Sequence, residues 1–143
     1  GFEYTAAIGM IYEGQKENGL KCISAIRNRF DGEKRSPFDE PECGHHYARA
    51  MASWSAIPAL SGFQYSGVDK SMEFTAAPGN YFWSDGYSWG TALVKNTGNI
   101  HSIKLTVLSG QLELNSLLLS GFVPQKEAIL LKEHQSIFRV FKH

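Results

Sequence analysis

The sequence has no charge excess of either sign. Lys and Arg number 14, Asp and Glu number 14, and the formal net charge at pH 7 is zero. Without a basic field to draw in a phosphate backbone, no nucleic-acid partner is expected. Cysteine is nearly absent. Cys22 and Cys43 are two thiols in 143 residues, too few for a disulfide framework, and both read as reduced structural thiols. No apolar run approaches the roughly 20 residues that cross a bilayer, so no membrane span is expected. "GTALVKNTG" lacks the Gly-Lys-Ser/Thr ending of a phosphate loop. Internal repeats and low-complexity tracts are missing too. The sequence opens at Gly1 without an initiator Met or a charged n-region. "GFEYTAAIGMIYEG" already reads as a helix, too polar for a signal-peptide core. The expectation is that Gly1 is not the natural start and that the chain is a fragment or a processed product. The sequence assigns no compartment beyond a leaning to the cytoplasm, because any targeting signal would precede Gly1.

What is present is enough to fill a core: 43% hydrophobic and 13% aromatic residues. The first third has helical periodicity. Residues 2–13 are apolar nearly all round, which predicts a buried helix, with Gly14 as its stop. Leu20, Ile23, Ile26 and Phe30 recur at helical spacing and predict a second helix over about 16–30, with Arg27 and Arg29 in the turn where the helix dipole favours cations. The short link between the two predicts an antiparallel helical hairpin. Residues 31–44 read as a loop, and a third helix is expected from Gly44 or His45 to about Leu60, with Pro58 kinking its last turn. After Gly62 the period changes to two, and seven short segments from "SMEFTA" to "SIFRVFK" read as strands, with "NTGN" and Ser109-Gly110 as hairpin turns. Helices first and strands after define an α+β chain. Its expected units are a helical part over 1–67 and an antiparallel β tail over 68–143.

Chemistry concentrates in 39–54, "DEPECGHHYARAMASW". On a helical wheel Tyr47, Met51, Trp54 and Pro58 share one face, Ala48, Ala52, Ser55 and Ala59 form a stripe of small side chains, and His45, Arg49 and Ser53 occupy a third. Contacts on most sides mark an inner helix. Helical side chains lean toward the N-terminus, so Arg49 can reach back over the loop that carries Glu40 and Glu42. A guanidinium beside a carboxylate offers fixed donors next to acceptors, which suits adjacent sugar hydroxyls and equally suits a plain salt bridge. A metal reading would draw on Glu42, Cys43, His45 and His46, but only Cys43 and His46 are well placed, and no second pair follows at finger spacing. A Glu40–Glu42 acid/base dyad is a further alternative, disfavoured because residues two apart in a loop rarely face each other. Phe82, Trp83, Tyr87 and Trp89 could stack on sugar rings, although aromatics in short strands are more often core.

Three segments go beyond spacing. "GFEYTAAIGMIYEG", "AIRNRFDGEKRSPFDEPECGHHYARAMASW" and "PALSGFQYSG" resemble the C-terminal part of glycoside hydrolase family 116, the family of bile-acid β-glucosidase and non-lysosomal glucosylceramidase, and most closely its bacterial branch. The resemblance covers about residues 1–67. "YFWSDGYSWGT" and "KLTVLSGQLELNSL" resemble more weakly the segment that follows in those bacterial proteins. The resemblance implies that the helices are pieces of an (α/α)6 barrel and that the reaction is retaining β-glycoside hydrolysis by a carboxylate nucleophile and a carboxyl acid/base. Both reacting residues lie well upstream of the matched region, so no catalytic residue is expected in this chain. A Glu and an Arg nine residues apart hold glucose hydroxyls in the family; the matching positions are Glu40 and Arg49, with Glu42 and His46 in the same motif. His45 and Pro41 depart from the family's pattern, and either change could alter the loop. The implied partners are a β-linked glucoside and the remainder of the barrel N-terminal to Gly1. No cofactor and no metal are implied. A non-catalytic carbohydrate-binding or interaction module is the alternative reading.

Overall fold

The computed structural model describes residues 1–39 and 49–142, with the backbone alone at 49 and 50. The chain divides into a helical unit, Gly1–Leu60, and a β unit, Ser61–His143.

In the helical unit, helix α1 (Phe2–Tyr12) and helix α2 (Lys16–Arg29) form the antiparallel hairpin that the periodicity predicts. Gly14, at φ +78°, closes α1: its N–H donates to the Ile11 carbonyl and the Gln15 N–H to the Met10 carbonyl, the paired bonds of a Schellman cap. The two helices meet at small residues. A Cβ on Gly19 would lie 2.5 Å from the Ala7 carbonyl oxygen and 2.6 Å from Ile11 Cγ1, so only glycine permits this approach. Tyr4, Ala7, Ile11 and Ile26 are buried around that contact, and Arg29 pairs with Glu3 across it.

Here two expectations fail. The third helix is not one α-helix. Arg49–Ser55 is a 3-10 segment, and only Ala56–Leu60 is α-helical, as α3. Pro58 supplies the reason. Its ring would clash with the Trp54 carbonyl and its missing N–H would orphan it, whereas in the first turn of a helix a proline loses nothing. The α-helix therefore restarts at Ala56. Within the 3-10 segment side chains three apart eclipse. Met51 and Trp54 come into one row, which Ile57 extends, at 64%, 70% and 54% exposure, in place of the encircled inner helix that the wheel implied. Helix α1 is likewise not enclosed: Phe2 and Tyr12 are exposed. The assignment of an α+β chain made of hairpin pieces of an (α/α)6 barrel followed by an antiparallel β tail is thus overturned. The described chain has three short α-helices and eight strands, and it is mostly β, with a sandwich-like arrangement of two sheets.

The strands are β1 (Gln64–Ser66), β2 (Ser71–Phe74), β3 (Gly79–Ser84), β4 (Trp89–Thr97), β5 (Ile100–Ser109), β6 (Gln111–Leu119), β7 (Gln125–Lys132) and β8 (Ser136–Lys142). One sheet has the order β1-β2-β6-β7 and the other β3-β4-β5-β8. The tail is not purely antiparallel, because β2 pairs parallel with β6, Ser71 opposite Ser116 through Phe74 opposite Leu119. Nor is Ser109-Gly110 a hairpin turn. It carries the chain from β5 in one sheet to β6 in the other, with Gly110 at φ +84° and its missing Cβ leaving room for the Tyr87 carbonyl.

The core lies between the sheets. Met72, Phe74, Leu112, Leu114, Leu117 and Leu119 from the first meet Trp83, Val94, Ile103, Leu105, Val107 and Phe141 from the second. The spacing along β6 explains an irregularity in its sequence. Leu112 and Leu114 share one parity, Leu117 and Leu119 the other. The register shift between Leu114 and Ser116 inserts one residue and turns all four leucines inward. The amides of Asn115 and Ser116 both reach the Lys70 carbonyl at this bulge, at 2.7 and 3.3 Å.

Candidate functional site

The sequence places its site in the loop and helix start at 40–49. Glu40, Glu42 and His46 lie outside the described residues, as do Cys43 and His45, the other members of the metal reading. Arg49 is described by its backbone, as the first residue of the 3-10 segment.

The chain leading to this region is held by local hydrogen bonds. "DGEKR", the start of the expected loop over 31–44, is a closed Asx turn. Asp31 Oδ1 accepts the N–H groups of Glu33 at 3.0 Å and Lys34 at 2.9 Å, while Oδ2 accepts the Lys34 ammonium at 2.8 Å. The Lys34 side-chain hydrogen bond, followed by its backbone N–H, holds the Asp31 carboxyl well below the usual carboxylate range. Lys34 Nζ also donates to the Asn28 carbonyl at 3.2 Å, and the Gly32 N–H to the Arg35 carbonyl at 3.0 Å, which ties the end of α2 to the loop. Ser36 then accepts the Phe38 N–H on its hydroxyl at 3.2 Å. The chain thus runs from α2 to residue 39 through consecutive local hydrogen bonds.

Cys22 is half-buried and forms no disulfide. Among the described residues, no group of three or more His, Cys, Asp or Glu side chains is placed to hold a metal ion. No described helix is long and apolar enough to cross a membrane. His101 is half-buried. Its ring lies 4.8 Å from that of Phe122, and its Nδ1 is 3.4 Å from the Ala76 carbonyl oxygen.

Two surfaces of the β unit have the makings of binding sites. The first is a groove of about 270 Å³ on the outer face of the β1-β2-β6-β7 sheet. Register sets its lining. Gln64 lies opposite Glu73, Ser66 opposite Ser71, and Ser71 opposite Ser116, all pointing away from the core. Leu118 and Pro124 add apolar surface. Glu73 accepts the Ser120 hydroxyl at 2.7 Å, and Ser66 donates to Asp69 at 2.8 Å. One carboxylate among hydroxyls and an amide can hold a small neutral polar molecule but offers no acid/base pair.

The second surface corrects the default reading of the four aromatics as core, which holds for one of them. Trp83 is core, 1% exposed, and lies over the backbone of Gly90. Phe82 and Trp89 point the other way, with ring centroids 6.4 Å apart, and are 51% and 46% exposed. Tyr87 is 95% exposed. The sequence could not separate them, because "YFW" is aromatic at three successive positions and leaves the alternation unreadable.

No family model matches the chain, and no curated protein matches it.

Proposed function

We propose that the chain is the C-terminal portion of a retaining β-glycosidase acting on β-glucosides, in which Glu40 and Arg49 hold hydroxyls of the glucose unit, with Glu42 and His46 in the same motif. The observation that carries this reading is the motif "DGEKRSPFDEPECGHHYARAMASW", with its carboxylate and guanidinium nine residues apart. A carboxylate accepts from a sugar hydroxyl, and a guanidinium donates to the adjacent oxygen along fixed directions, so together they fix the ring's orientation. The exposed apolar row of Met51, Trp54 and Ile57 is compatible with a neighbouring segment packing on the helical unit. The nucleophile and the acid/base belong to that neighbouring part, so the 143 residues alone hydrolyse nothing.

Steady-state kinetics on the longer protein test the wall. Arg49→Ala should raise KM and lower kcat/KM toward aryl β-glucosides by about tenfold or more, as expected when a charged hydrogen bond to substrate is lost. Unchanged kinetics would remove Arg49 from the site. Turnover by the purified 143-residue chain would refute the assignment of the reacting carboxylates to another segment.

A further inference from the structure

We infer that the outer face of the β3-β4-β5-β8 sheet is a second sugar-binding surface, specific for a neutral, extended β-linked glucan and independent of Glu40 and Arg49. Two observations carry it. The first is a straight cross-strand row. Phe82 lies opposite Thr91, Thr91 opposite Thr106, and Thr106 opposite Ser136, all on the side away from the core. One ring and three hydroxyls are thus set in line at the strand spacing of roughly 4.8 Å. Trp89 flanks Phe82 in the adjacent row, opposite Ser84. The second observation is the loop that presents Tyr87. Asp85 Oδ1 accepts the N–H groups of Tyr87 at 2.8 Å and Ser88 at 2.6 Å, Asp85 Oδ2 accepts the Ser88 hydroxyl at 3.0 Å, and Ser84 Oγ accepts the Gly86 N–H at 3.2 Å. A loop wired this closely fixes the backbone that carries a 95% exposed aromatic, so only the rotamer of the Tyr87 ring remains to be ordered on binding.

The chemistry selects the ligand. The row and its aromatics carry no charge; Lys104 stands one row further along, opposite Leu93. A phosphate-rich ligand would find little to neutralise here. Protein-docking centres are enriched in Trp, Tyr and Arg and poor in Ser and Thr, whereas hydroxyls make up half of the groups in this row and its flanking aromatics. A pyranose ring has an apolar C–H face that rests on an aromatic and a rim of hydroxyls that both donate and accept. In a β-1,4-linked glucan the rings repeat as an extended ribbon that can lie along this straight cross-strand row, whereas an α-1,4-linked chain curves away from it. Thr106 Oγ1 and Ser136 Oγ, 2.9 Å apart, already share one hydrogen bond and keep a donor or acceptor free for such a rim.

The test is calorimetry on the full chain with cellohexaose, and with maltohexaose as the α-linked control. Cellohexaose should bind and maltohexaose should not, or at least tenfold more weakly. Tyr87→Ala and Trp89→Ala should each weaken cellohexaose binding by about tenfold with an unchanged far-UV spectrum. Arg49→Ala should leave this binding intact, which separates the inference from the proposed glycosidase wall. Tyr87 is so exposed that its truncation tests the surface even if Trp89→Ala fails to fold. No binding of cellohexaose, binding unaffected by Tyr87→Ala, or binding abolished by Arg49→Ala would each overturn the inference.

Discussion

Gly90→Ala should unfold the β unit at a temperature well below that of the native chain. Gly90 sits in β4 opposite Val107, next to the register shift at Trp89, and it is buried. A Cβ added there would lie 1.9 Å from the Thr106 carbonyl oxygen and 2.8 Å from Trp83 Cζ2. To restore ordinary contact, the β5 backbone would have to retreat by roughly 1.5 Å. Trp83 cannot yield easily, since it is enclosed by the two sheets. Overpacking of this kind costs about 1–3 kcal/mol, and a displaced ladder hydrogen bond adds about 1 kcal/mol. The sum, about 2–4 kcal/mol, is a large share of the roughly 5–15 kcal/mol that holds a domain together. For a unit of this size it corresponds to a fall in Tm of about 10–25 °C. Urea and thermal unfolding followed by circular dichroism measure it directly. Gly98→Ala is the control: at φ +59° it strains the backbone, but nothing lies within 4 Å of the added carbon, so it should cost only about 1 kcal/mol. If Gly90→Ala melts within a few degrees of the native chain, the close packing of Trp83 over β4 is wrong.

Two other outcomes follow from the helical unit. Gly9 is mid-helix in α1 with nothing within 4 Å of an added Cβ, so Gly9→Ala should stabilise this unit by about 0.5–1 kcal/mol, measured by denaturant unfolding; destabilisation would show that the Gly9 face is occupied. Asp31 has its folded pKa depressed by Lys34, so the stability it supplies is fully present above the ordinary carboxylate range, declines as pH falls below that range, and is gone once pH has passed the depressed value. Carboxyl NMR titration should therefore leave Asp31 ionised at pH 3, where an unperturbed aspartate is mostly protonated, and Lys34→Ala should return it toward the ordinary range; an unperturbed midpoint in the native chain would refute the closed turn.

Much of the local structure was legible. Gly14 ends α1 because the chain must turn left-handed there, and seven of the eight strands follow the period-two runs that predict them. Three-residue β1 was missed because a run of that length carries no period. The error in the third helix was also legible in principle, since Pro58 forbids the α-helical bond that the wheel assumed. The expected site at Glu40, Glu42 and His46 was read from a motif alone and lies outside the described residues; only the backbone of Arg49 bears on it. Phe82, Tyr87 and Trp89, which the sequence reads by default as core, are exposed, because three successive aromatics hide the alternation of β3 and Tyr87 lies in the loop after it.

By itself the sequence determined where helices stop and strands begin, because caps, glycines and hydrophobic periods act over a few residues. Only the tertiary structure decided which strands are partners and which side of each faces water. Strand β2 pairs with β6 across some forty residues of chain, and that pairing leaves no local mark. In β6 one inserted residue at Asn115 reverses the inward parity, so Leu117 and Leu119 join the core and Ser116 turns out toward solvent. In β3 the alternation buries Trp83 and leaves Phe82 on the outer face. Since side-chain direction in a strand has a period of two, a single residue of register exchanges core for surface, and register is set by the partner strand.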